Sequence, residues 1–268
     1  MTSDSPAAHG SRPRGRFAMR LRKRTRKLIR RLQVRTFEKR VRENTVKAKP
    51  PHRPFPGTRV YWEERYASGG NSGVGSYSKF AEFKAQILND FIVSNSIGTV
   101  IEFGCGDGNQ LLLTQHPSYL GLEVSTTALK ICQQKFAGDP RKSFKLLDLY
   151  AGERADLALS LDVIFHLIDN EEFEEHMRIL FNSTDRFVII YSSNTDVNKH
   201  TDRHVKHRKF TRWIKTNAAG WSLDRRIANR YPYKGDFKLG SLAEFYIYRK
   251  SPSVGGFAAF LRRFHDNI

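Results

Sequence analysis

Cysteine is scarce in this chain, and so are methionine and tryptophan: two Cys, three Met and three Trp among 268 residues. Cys105 and Cys132 cannot form a disulfide framework, and neither sits at metal-ligand spacing. That shortage excludes the small disulfide-stapled secreted folds and predicts a reducing compartment. Nowhere do about 18 apolar residues run consecutively, the length that a bilayer-spanning helix needs. The N-terminus lacks the apolar core of a secretory signal, so a cytoplasmic protein is the expectation. Acid is short as well, at 27 Asp+Glu against 46 Lys+Arg, a net charge of +19.

The acid shortage is local. Residues 1–50 hold 17 Lys/Arg against Asp4, Glu38 and Glu43, a net of +14 that leaves +5 for residues 51–268. From Arg12 to Arg42 basic clusters alternate with Phe17, Leu21, Leu28, Leu32, Val34, Phe37 and Val41 at helical intervals. A basic amphipathic helix of this kind suits an anionic membrane surface, where each basic residue contributes about 1 kcal/mol. It also suits nucleic-acid phosphates, or a solvated arm with no specific partner. An organelle transit peptide would be poorer in acid. The dense prolines of 50–57 then forbid helix and mark a linker. The sequence thus divides into an arm and linker over 1–57, a domain over 58–250 and a tail over 251–268.

Beyond that linker, apolar runs alternate with helical patterns, the signature of βαβ units and a mostly parallel sheet. Tyr77–Ser94 reads as a helix with Phe80, Phe83, Ile87, Leu88 and Phe91 on one side. Strands are expected near 99–103, 119–124, 143–147, 156–161 and 185–192, with helices near 108–115, 125–136 and 171–182. Apolar alternation over Trp221–Ile227 and Leu242–Tyr248 supplies two last strands. The fold class is α/β, a doubly wound and mostly parallel sheet.

The most telling stretch is Val100 to Gln110, an apolar run closed by glycines at 104, 106 and 108. Glycines let backbone pass close under a ligand, and a helix behind the loop would aim unpaired N–H groups at it. Glu123 ends the next apolar run 19 positions after Gly104, where a carboxylate suits the two hydroxyls of a ribose. This describes a site for a nucleoside cofactor. The glycines run G-x-G-x-G rather than G-x-G-x-x-G, and Asp107 among them would repel a pyrophosphate but not a cationic amino-acid cofactor.

Ile101-Glu102-Phe103-Gly104-Cys105-Gly106-Asp107-Gly108 resembles the first motif of the Rossmann-like S-adenosylmethionine-dependent methyltransferases. Glu123, Leu147-Asp148-Leu149 and Asp162 through Leu167 fall where that family has its later landmarks. The resemblance spans roughly 58–250. It implies a Rossmann-like sheet closed by an antiparallel hairpin, with S-adenosylmethionine as cofactor. The cofactor would lie against Glu102, Gly104, Cys105, Gly106, Gly108, Glu123, Val124, Asp148, Leu149 and Asp162. Glu123 would hold the ribose, Asp148 the adenine amino group, and the Leu149 N–H the ring. Between loop glycines, Cys105 packs on the cofactor rather than serving as a nucleophile.

The acceptor is expected to be a hydroxyl, less readily an amine, of a small molecule or glycan, reached at a membrane surface through 12–42. An RNA acceptor gripped by the arm is the alternative, and a non-catalytic membrane- or nucleic-acid-binding scaffold a third. A hydroxyl needs a base, and His166, His204 and His207 are the candidates. His204 and His207 at i, i+3 would share a helix face, able to bind an acceptor or, with Asp202, a metal; no resident metal is expected. Gly69–Tyr77 is too glycine-rich for helix or strand and suits a lid, with Trp62, Arg65 and Tyr66 completing the cover.

Overall fold

The apolar alternation resolves into one seven-stranded sheet in a computed structural model that describes residues 55–199 and 201–251. The basic helix expected over 12–42, most of the proline-rich linker, His200 and the tail beyond Ser251 lie outside the described residues. In chain order the elements are α1 (Thr58–Ala67), α2 (Ser78–Ser94), β1 (Val100–Phe103), β2 (Tyr119–Glu123), α3 (Thr126–Lys135), β3 (Lys142–Leu146) and β4 (Ala155–Leu161). There follow α4 (Asn170–Asn182), β5 (Thr184–Ser192), α5 (Phe210–Asn217), β6 (Trp221–Ile227) and β7 (Glu244–Lys250). The sheet order is β3-β2-β1-β4-β5-β7-β6. The first five strands run parallel, and β7 lies antiparallel to both β5 and β6.

Period-two burial explains how the sheet is covered on both faces. Val100, Leu157, Leu159 and Ile189 point to the side covered by Phe83, Leu88 and Phe91 of α2. Their neighbours Ile101, Ala158 and Val188 point to the other side, where α4 brings Phe173, Met177 and Leu180 and α5 brings Phe210 and Ile214. Side-chain caps start two of the helices: Ser125 Oγ accepts from Ala128 N at 3.1 Å, and Asp169 Oδ1 accepts from Glu171 N at 2.7 Å.

Three local expectations fail. The helix over 108–115 is only a 3₁₀ turn, Gln110–Leu113, leaving Leu112 and Leu113 exposed. Its start is diverted by Gly108 at φ 69° and by Asp107, which takes the Asn109 N–H, and Pro117 follows soon after. The stretch holding His204 and His207 is a loop, so the shared helix face for a metal with Asp202 does not form. Two helices were unforeseen, α1 and α5.

Candidate active site

Strand ends build the site, because parallel strands deliver their C-terminal residues to one edge of the sheet. β1 ends in the glycine loop, whose Gly104 and Cys105 N–H groups donate to the Leu122 carbonyl at 2.8 and 3.1 Å. Gly104 has φ 89°, and a Cβ on it would lie 2.5 Å from Val163 Cγ2. Gly106 has φ 59°, and a Cβ there would meet Ser72 Oγ at 2.3 Å. A side chain at either position would strain the backbone and force Val163 or Ser72 to move.

Glu123, at the end of β2, receives the loop. Its Oε2 accepts from Gly106 N at 2.8 Å, and its Oε1 accepts from Val124 N at 2.8 Å and Ser125 N at 3.1 Å. Burial nevertheless raises its pKa over those hydrogen bonds. Glu102 is buried inside β1, accepts from Tyr119 Oη at 2.6 Å, and is pushed up to about 7 by burial. Burial thus holds both carboxyls above the usual carboxylate range. Asp107 behaves otherwise: burial raises it, but hydrogen bonds from Tyr77 Oη at 2.7 Å and from the Ser72 and Asn109 N–H groups at 3.0 Å hold it low. Asp107 therefore ties the glycine loop to the Gly69–Tyr77 segment, which does fold over that loop. Cys105 is buried, and a hydrogen bond with Cys132 together with burial keeps its thiol protonated. A thiolate nucleophile is not available there.

Two cavities meet at this edge. The smaller, of about 90 Å³, has Glu102, Gly104, Cys105, Gly106, Glu123, Val124, Asp162 and His166 in its wall, together with Leu147. The larger, of about 470 Å³, takes in Arg65, His204 and His207 among apolar groups such as Phe80, Phe165 and Phe237. Trp62, Ser72, Asp162 and His166 line both cavities and form the partition between them. Three expected cofactor contacts stand outside the smaller wall. Gly108 packs against Phe136 and Cys132, exposed Asp148 is paired with Arg59 of α1, and Leu149 is exposed. Leu147 reaches the cavity in place of its two neighbours because the chain turns through a 3₁₀ turn there.

None of the three histidines is an ordinary base. His166 donates its Nδ1–H to the His204 carbonyl at 2.9 Å, which leaves Nε2 with a bare lone pair, and burial lowers its pKa to about 3. His204 stacks between Tyr61 and His166, at 4.6 and 5.2 Å, and burial lowers it too. His207 shares a 2.6 Å hydrogen bond with Ser193 Oγ and is likewise lowered by burial.

Two groups were missed by sequence reasoning. Lys84 is fully buried in α2, and its Nζ donates to Asp162 Oδ2 at 2.7 Å. The legible signal was a lone charge on the apolar stripe of Phe80 and Leu88, four residues to either side. α1 is the other, clasping the site through polar contacts. Glu63 accepts from Ser125 Oγ at 2.7 Å and Thr127 Oγ1 at 2.6 Å, Arg59 donates to the Val124 carbonyl at 3.2 Å, and Thr58 donates to Glu172 at 2.5 Å.

The residues present fit a nucleoside cofactor: a loop with glycine at 104, 106 and 108, and a strand-end carboxylate, Glu123, beside it. At about 90 Å³ the cradle is smaller than the roughly 300–1,000 Å³ of usual ligand pockets. Thr58, Trp62 and Tyr66 of α1 supply part of its wall.

No protein-family model and no curated protein sequence matches the chain. Solved structures do. N-methyltransferase NodS from Bradyrhizobium japonicum WM9, in complex with S-adenosyl-L-homocysteine, is similar over 73% of this chain and 100% of its own, at 16% identity and a TM-score of 0.59. Magnesium protoporphyrin IX methyltransferase from Synechocystis PCC 6803, with bound S-adenosylmethionine, is similar over 74% of this chain and 100% of its own, at 17% identity and a TM-score of 0.53. With the strand order, the antiparallel closing pair and the glycine loop at the end of β1, these likenesses give the chain the fold of the Rossmann-like, class I S-adenosylmethionine-dependent methyltransferases.

Proposed function

We propose that the chain is an S-adenosylmethionine-dependent methyltransferase acting on a small-molecule acceptor held in the larger cavity. The observation that carries this reading is the shared partition. A group bound on the glycine loop and a group bound in the larger cavity would meet at Trp62, Ser72, Asp162 and His166. When bound, the cofactor supplies an electrophilic methyl carbon on a sulfonium. The chain's own residues do the rest: Glu123 and the glycine loop hold, the partition orients, and α1 with the Gly69–Tyr77 segment excludes water. Alignment of this kind can supply much of the rate enhancement.

The burial that lowers all three histidines bears on the acceptor. A hydroxyl of ordinary acidity, including that of a glycan, needs a proton acceptor stronger than a histidine of pKa about 3. The site suits a nucleophile that needs no strong base, an amine or an acidic hydroxyl. Approach to an anionic membrane, or to RNA, would use the arm over 12–42 and is a separate proposal resting on its charge alone.

The test is transfer of labelled methyl from S-adenosylmethionine into fractionated cell extract, with Glu123→Ala as the blank. Label in a small-molecule fraction, lost in the variant, is the expected result. Label confined to RNA would move the reading to an RNA acceptor, and no transfer with no cofactor binding would end it.

A further inference from the structure

The partition between the two cavities has a hydrogen-bonding polarity that selects among acceptors, a selection that rests on the methyltransferase reading. Asp162 sits just beyond β4 with φ 59°, a left-handed backbone that few residues other than glycine adopt. Its Oδ2 accepts from Lys84 Nζ at 2.7 Å, and Lys84 is 0% exposed, so this cation has no role in solvent. A Cβ on Gly75 would lie 2.8 Å from the same Oδ2, so the glycine is what leaves room for the carboxylate. Oδ1 has no partner among the described residues, and Asp162 faces both cavities. On the same partition, His166 is fixed as the tautomer with hydrogen on Nδ1, and its Nε2 lone pair is unpartnered among the described residues. Ser72 is already spent, its hydroxyl accepting from Asp107 N at 3.0 Å and bonded to Tyr66 Oη at 2.9 Å.

We propose that Asp162 and His166 together select a primary amine as the methyl acceptor, with Asp162 a catalytic residue and Lys84 the residue that positions it. Two unpartnered acceptor atoms match the two N–H groups of a primary amine; a hydroxyl has only one hydrogen to offer. The amine enters as its free base, its ammonium proton left in solvent; with both remaining hydrogens engaged, the nitrogen lone pair is left free for the methyl carbon. The pair forms the C–N bond as the C–S bond breaks and its electrons pass to sulfur. The positive charge thereby moves from sulfur to nitrogen, where the fixed carboxylate of Asp162 stabilises it as it develops. The surplus proton leaves from nitrogen to water in the larger cavity. No strong base is required, which agrees with the lowered histidines. The secondary amine that results keeps one N–H, so a second transfer forfeits one of the two hydrogen bonds and the enzyme stops at a single methyl.

Asp162→Asn tests the role with little change of shape, since Asn tolerates a left-handed backbone. Lys84 can only donate, so the Asn Oδ1 must face it, leaving the NH₂ turned toward the acceptor. A donor then opposes a donor. The assay is labelled methyl transfer from S-adenosylmethionine into the small-molecule fraction of cell extract. It is run before and after that fraction's primary amines are acetylated with a succinimidyl ester, and cofactor affinity is read separately by calorimetry. Acetylation should abolish labelling, and Asp162→Asn should lower transfer by about a hundredfold at a cofactor concentration that saturates the variant. Labelling that survives acetylation would overturn the amine assignment. Transfer by Asp162→Asn at the wild-type rate with saturating cofactor would overturn the role of Asp162. Failure of the wild-type chain to bind S-adenosylmethionine would instead remove the methyltransferase reading beneath both.

Discussion

Glu102 and Lys84 show how charge is handled inside this domain. Lys84 lies fully buried on a stripe of α2 where an apolar side chain would otherwise pack, and its ion pair with Asp162 offsets the desolvation of both. Glu102 has only a tyrosine hydroxyl as direct partner, and burial pushes it up to about 7 from an ordinary 4.5. For a carboxyl raised on folding, ionisation opposes the folded state. The penalty is absent below about pH 4.5, grows as pH rises toward 7, and reaches about 3 kcal/mol above that. Glu102→Gln keeps an oxygen for Tyr119 and removes the titration. Its melting temperature relative to wild type should therefore be higher at pH 8 than at pH 5, as read by calorimetric melting; an equal difference at the two pH values would contradict this. Residues of this kind were partly legible. Glu102, the glycines and Glu123 were marked by spacing in the sequence, whereas the carboxylate network of Asp107 depends on Ser72 and Tyr77, more than 29 positions away. No local pattern encodes such a contact.

At the scale of elements, the strands and α2, α3 and α4 were readable because each buries a face, and burial imposes period two or a helical stripe. α5 carried the same signal in Phe210, Trp213 and Ile214 but was hidden in a polar, histidine-rich stretch. α1 has no clean apolar face. Tyr61, Trp62 and Tyr66 alternate with Arg59, Glu63 and Arg65, and it is held by polar contacts across the strand ends. Such contacts are weak in water, and the exposed Arg59–Asp148 pair contributes at most about 1 kcal/mol. α1 is thus the less firmly held part of the smaller cavity's wall. Glu63 is its main tie, taking three hydrogen bonds from Ser125 and Thr127 at the start of α3. Glu63→Ala should speed amide exchange over 58–67 by about tenfold, leave β1 and β4 protected, and quicken cofactor release. Unchanged exchange in α1 would show that the aromatic contacts, not Glu63, hold it.

The whole molecule pairs a domain of modest charge with an arm that carries +14 of the total +19. The two cavities, one beneath the glycine loop and one walled by aromatic and histidine side chains, share a partition in which Asp162 is paired with buried Lys84. Fold class was legible in the sequence because ordered landmarks sit at strand ends. The larger cavity was not, because it is assembled from α1, the loops around 73 and 205, and the segment before β7. Both cavities take on their roles only if a nucleoside cofactor seats on Glu123 and the glycine loop. The most direct measurement is calorimetric titration of the full chain with S-adenosylmethionine, beside Glu123→Ala. One site per chain is expected in the wild type, and at least about tenfold weaker binding in the variant, the loss that follows from removing charge-assisted hydrogen bonds. Absence of binding by the wild type, or equal binding by the two proteins, would contradict a cofactor seated there.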